Sequence, residues 1–179
     1  MRKQGTLYLV VVLLAVALTA CGSKEKQDVN EPEGTWKVQV VSASFPGKQT
    51  IADTTVLQLR VKNVDDSTIP NLAVTVDGFD RLESDKDFAE SKRPIWVIES
   101  PPGNSTTAFT NTWAVGPVPA GQTRTLKWKV TAVRSGTYTL RWRVAAGLDG
   151  KAKAEEAGEP AKGEFVVQVN DKARPVNLN

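Results

Sequence analysis

A chain of 179 residues, 40% apolar and 24% charged, is long enough for one domain with its own core and too apolar for a disordered protein. Its formal charge of +3 sets 23 basic against 20 acidic residues, so a pI near 9.0 is no argument for nucleic acid as a partner. Histidine is absent and cysteine occurs once, which removes the commonest general base, the commonest metal ligand and any intramolecular disulfide; the chain reads as non-enzymatic, with no cofactor and no metal.

At the amino terminus, Arg2 and Lys3 precede an uncharged stretch from Thr6 to Ala20 that is rich in Leu and Val. A positive start, a short apolar middle and small residues at the end describe a secretory signal over residues 1–20, too short to span hydrocarbon as a helix. An ordinary signal could be cut after Ala15-Val16-Ala17. A cut after Ala20 by the same peptidase would instead put bulky Leu18 at the small-residue position. The ending Leu18-Thr19-Ala20-Cys21 resembles the bacterial lipobox, which implies a diacylglyceryl thioether on Cys21, cleavage before it and further acylation of the freed amine. Two or three acyl chains make a stable anchor where one does not. Residues 21–34 are then the lipidated Cys and a polar, flexible tether that keeps the domain near the membrane, on its extracytoplasmic (periplasmic or extracellular) face.

From residue 35 to 170 the apolar residues alternate. Trp36, Val38 and Val40 share a face; so do Leu57, Leu59 and Val61; Leu72, Val74 and Val76; Leu126, Trp128 and Val130; Tyr138, Leu140, Trp142 and Val144; and Phe165, Val167 and Val169. Period-2 patterns with a polar opposite face predict antiparallel strands covered on one side, separated by turns at Asp65-Asp66-Ser67, Pro117 to Gly121, Ser135-Gly136 and Gly147 to Gly150. No helical period occurs; Lys151 to Glu156 holds helix formers but is too short. About seven short strands predict an all-β, immunoglobulin-like antiparallel sandwich, with residues 171–179 as a tail. Tyr138, just after the Ser-Gly turn, is expected to be a corner tyrosine whose hydroxyl bonds back to upstream backbone.

Two segments resemble the cell-adhesion-related bacterial domain called CARDB. They are Val56 to Gly78 (VLQLRVKNVDDSTIPNLAVTVDG), where a strand ends in Val-x-Asn before a polar turn, and Trp113 to Ala146 (WAVGPVPAGQTRTLKWKVTAVRSGTYTLRWRVAA), with its Pro-Ala-Gly turn, Ser-Gly corner and Tyr-Thr-Leu strand. The resemblance covers about half the chain and implies a fold, not an activity, since such domains serve as spacers, adhesins and accessory modules. The connection from Asp80 to Asn111 departs from a compact sandwich in its length, and long connections often carry function.

Candidate sites compete with blander readings. Glu83, Asp85, Asp87 and Glu90 could hold Ca²⁺, but interleaved Arg81, Lys86, Lys92 and Arg93 favour a solvated loop. Trp96 and Trp113, with Phe109, could form an aromatic platform for a glycan, but apolar neighbours Ile95 and Ile98 ask for burial. Arg60, Lys62, Lys127 and Lys129 would gather outward on one sheet if the second and fifth strands pair; cations facing one another would then hint at an anionic partner, against the reading of a face neutralised by carboxylates. Arg141 and Arg143 are expected to pair with Asp77 or Glu164, and Asn104-Ser105-Thr106 matches a glycosylation sequon by chance. The resulting expectation is a lipid-anchored binding module of the cell envelope, partnered with the membrane through its lipid and with another envelope protein or a surface polymer. The alternative is a carbohydrate-binding or adhesion protein that uses the aromatics of residues 80–111.

Overall fold

The computed structural model describes residues 30–79, 82–84 and 92–171. The export signal, Cys21 and the carboxylates Asp85, Asp87 and Glu90 lie outside them, as does the side chain of Glu83. The described residues contain no helix; they form β1 (Gly34–Ser44), β2 (Lys48–Thr50), β3 (Thr54–Asn63), β4 (Ala73–Asp77), β5 (Leu82–Ser84), β6 (Lys92–Pro94), β7 (Trp96–Ser100), β8 (Thr106–Phe109), β9 (Thr112–Ala114), β10 (Thr123–Ala132), β11 (Gly136–Ala145), β12 (Ala152–Glu156), β13 (Glu159–Pro160) and β14 (Lys162–Asn170).

Two layers result. The first sheet runs β7-β10-β3-β1, all antiparallel. In the second, β11 pairs with β4 on one side and with β14 and then β12 on the other, and the β8–β9 hairpin extends it beyond β4. Strand β1 belongs to both layers: Gly34 to Lys37 run parallel to β12, and Val38 to Ser44 run antiparallel to β3, with a bulge between Val40 and Ser42. Taken in chain order, β1, β3, β4, β7, β10, β11 and β14 are strands A to G of an immunoglobulin-like sandwich, A-B-E-D against C-F-G. The additions are the β8–β9 hairpin beside strand C, the short parallel strand β2 on β14, the β12–β13 hairpin between F and G, and the separate β5–β6 ribbon.

The alternation in the sequence explains which face goes inside. Leu57, Leu59, Val61, Leu126, Trp128, Val130, Leu140 and Val167 are wholly buried, each contributing roughly 1.5–3 kcal/mol by leaving water. Edge-to-face rings fill the centre in two groups: Trp96 against Phe45 and Tyr138, and Trp113 against Trp128 and Phe79.

One expectation about local structure holds and one is corrected. Lys151 to Glu156 is not helical but mostly strand: Ala152 and Ala154 point into the core, and the alternation of small apolar and charged residues there suits a strand beside β1. The outer face of strand β4 is wet only at Asp77, because Ala73 and Thr75 lie at the bottom of a cleft between Phe109, Arg143 and Leu148, with Thr75 hydrogen-bonded to Thr112 at 2.9 Å.

The polar segment before β1 is attached to the domain earlier than Gly34. The Glu31 carboxylate accepts hydrogen bonds from the amides of Leu148 and Asp149 and from Asn71 Nδ2. Gly147 makes room for it: a Cβ there would fall on Glu31 Oε2 and on the side chain of Ala152.

A basic sheet face as candidate binding site

Strands β3 and β10 pair antiparallel over Thr54 to Lys62. Their inward residues are Leu57, Leu59, Val61 and Leu126, Trp128, Val130, so Arg60, Lys62, Lys127 and Lys129 all project from the opposite, outer face. Arg60, Lys127 and Lys129 are exposed and Lys62 is half-buried.

The register separates the like charges that the sequence reading set against each other. Lys62 faces Thr123, Arg60 faces Thr125, Lys127 faces Gln58 and Lys129 faces Val56. The four cations form a diagonal row, Lys62-Arg60-Lys127-Lys129, with steps of roughly 7 Å along a strand or across a diagonal. That spacing avoids direct opposition yet stays within a Debye length of about 8 Å, so the fields add.

No described carboxylate forms a salt bridge with any of the four. The second sheet is different. There Arg143 binds Asp77 at 2.7 Å and Arg141 binds Glu164 at 3.4 Å, as the strand order predicts. These side chains and Lys162 wall a groove of about 480 Å³ whose charges largely satisfy one another.

The aromatic platform is not present. Trp96 and Trp113 are 2% and 4% exposed, and the indole N–H of Trp96 donates to Gln49 Oε1 at 2.8 Å inside the protein. Both rings plug the sandwich because β7 and β9 pair into its two sheets, which turns their apolar faces inward. Phe109, 52% exposed, is left without the two indoles it would need.

Sequence reasoning missed three polar residues that organise the domain. Asn63 is fully buried; its Nδ2 donates to the carbonyls of Ser67 and Val118, and its Oδ1 accepts from the Asp65 amide. Buried Gln49 joins Trp96 to the Pro46 carbonyl. Glu31 is the third. Its signal, a carboxylate three residues before a strand, has no meaning without the distant Gly147–Asp149 turn. Two exposed turns are held by carboxylates below their usual range: Asp65 chiefly by the Lys37 amide, and Asp149 chiefly by the Lys151 amide. Among the described residues no cluster of three or more His, Cys, Asp or Glu could hold a metal ion, and no helix is long and apolar enough to cross a membrane.

No family model matches the chain, and no curated protein matches it in sequence. Several solved structures are similar in fold. The CARDB domain of a Pyrococcus furiosus protein, solved in complex with di-metal ions, is 13% identical over 77% of this chain and 93% of its own, with a TM-score of 0.44. Alpha-2-macroglobulin from Escherichia coli is 17% identical over 78% of this chain and 17% of its own, with a TM-score of 0.47. A PapD-like domain of human CEP192 is 10% identical over 84% of this chain and 94% of its own, with a TM-score of 0.41. At these values no residue role passes from them to this chain.

Proposed function

We propose that the chain is a lipid-anchored, non-enzymatic binding module of a bacterial cell envelope, held at the extracytoplasmic face of a membrane through Cys21. The observation that carries this reading is the order of the amino terminus: two cations, an uncharged apolar run, then Leu-Thr-Ala-Cys with the only cysteine of the chain. The immunoglobulin-like domain that follows is compatible with a binding role, though its fold alone assigns no chemistry. A chain without histidine also lacks the usual partner for a nucleophilic Ser. The basic face on the first sheet, without an ion pair among the described residues, is the surface that best fits a binding role. The glycan-binding alternative loses its support with the burial of Trp96 and Trp113.

The test is the amino terminus of the protein recovered from membranes. Mass spectrometry should find a chain beginning at Cys21 and heavier by a diacylglyceryl group and further acyl chains. Cys21→Ser should move the protein out of the membrane fraction. A mature chain starting elsewhere, without lipid, would refute the proposal.

A further inference from the structure

We infer that the outer face of the first sheet binds the anionic phospholipid headgroups of the membrane that holds the chain, laying the β7-β10-β3-β1 layer against the bilayer. This rests on the anchoring proposed for Cys21.

Four observations carry it. Lys62, Arg60, Lys127 and Lys129 form one row with no ion pair among the described residues, while the arginines of the opposite sheet are neutralised by Asp77 and Glu164. Glu99, in the bulge of β7 beside Ser100, forms no ion pair with Lys129 either. Two exposed valines flank the row: Val56, 46% exposed and opposite Lys129, and Val97, 42% exposed and opposite Thr131. Cations with small apolar side chains among them suit the boundary between headgroups and acyl chains. The tether supplies proximity. With the chain fixed from Glu31, the segment back to Cys21 reaches at most roughly 35 Å. The row begins at Lys62, beside Gln39 midway along β1, and extends roughly 20 Å along β10, so the face lies within reach of the bilayer.

A cation near an anionic surface raises affinity about fivefold, so four make only a weak site for a free protein. A tethered one faces headgroups at high effective concentration, and weak attraction then suffices to orient the domain. A wall polymer farther away has no such advantage, which is why lipid is the occupant assigned.

The chain from residue 22 onward, lacking the lipid, tests the face without the anchor. It keeps every described strand, and its buried core side chains run from Phe45 and Val38 through to Val169. Co-sedimentation with phosphatidylglycerol-rich vesicles at low salt should show binding that pure phosphatidylcholine vesicles lack. Lys127→Gln with Lys129→Gln should weaken it by about thirty-fold while leaving the circular dichroism unchanged. Arg141→Gln with Lys162→Gln removes the same charge from the other sheet and should leave binding within about threefold of the parent. Equal binding to neutral vesicles, equal loss from both double variants, or binding to a soluble anionic wall polymer but not to vesicles would overturn the assignment. Vesicle binding by the lipid-free chain does not depend on acylation, so failure of the anchor and failure of the face are read separately.

Discussion

Asn63 illustrates how one polar side chain inside an apolar sandwich acts at a distance. It ends strand β3 with no exposure to solvent, and all three of its hydrogen bonds reach other segments: two to the turn at Asp65–Ser67 and one to Val118. Its own backbone bonds the Gly121–Gln122 turn as well, so two loops at this end of the domain share one residue. Asn63→Ala would remove one of the two donors to the buried Val118 carbonyl, which keeps the Ile69 amide, and would release the Ser67 carbonyl and the Asp65 amide. The expected loss is about 3 kcal/mol, read as a lower denaturant midpoint with an unchanged slope. A loss under about 1 kcal/mol would mean that water replaces the amide.

At the scale of an element, the β10–β11 connection shows a turn and a ring acting together. Tyr138 donates its hydroxyl to the Ser135 carbonyl at 2.6 Å, and its ring packs edge-on against Trp96. Gly136 allows this. It lies at φ +143°, and a Cβ there would sit 2.7 Å from the Tyr138 hydroxyl oxygen. The corner tyrosine expected from the Ser-Gly-Thr-Tyr order is present, but its hydrogen bond is reachable by water. Tyr138→Phe should therefore cost about 1 kcal/mol, with the ring packing retained. Gly136→Ala should cost more, because it strains the backbone and displaces the ring together. Thermal melts of the two variants, compared in the same buffer, decide the order; a larger loss from Tyr138→Phe would contradict it.

At the scale of the whole molecule, Glu31 decides where the domain ends and any tether begins. Its carboxylate is held by two successive amides of the Leu148–Asp149 turn and by Asn71, which fixes the entry into β1 against the second sheet. Glu31→Ala should cost about 1–2 kcal/mol by leaving those amides to water and should expose the peptide bonds before Gly34. Limited proteolysis should then cut in the 30–34 segment at a protease concentration that spares the parent, and an unchanged digestion pattern would contradict the role. The consequence for orientation is direct. Under the anchoring proposed for Cys21, a tether shortened by three residues would hold the end of the domain that carries Lys62 closer to the anchor than the polar composition of residues 21–34 implies.

The all-β class, the inward face of each principal strand and the partners of Arg141 and Arg143 were determined by the sequence alone. Period-2 alternation is a local property, and burying one face of a strand requires nothing from distant residues beyond their being apolar. The pairing of β3 with β10 followed from the fold class, and with it the shared face of Arg60, Lys62, Lys127 and Lys129. Only the tertiary structure decided the rest. Whether cations face cations depends on register: a one-residue slip of β10 would have turned Lys127 and Lys129 inward, and a two-residue slip would have set Lys127 opposite Arg60; here each faces a neutral side chain. The fate of Trp96 and Trp113 depended on how the long connection folds. Strand β7 within it and β9 just after it return to opposite sheets and carry the indoles into the core, because their neighbours left no other place for so much apolar surface. Asn63, Gln49 and Glu31 were illegible for one reason: a polar side chain declares its role through the donor or acceptor it meets, and each of these meets partners that only folding brings near.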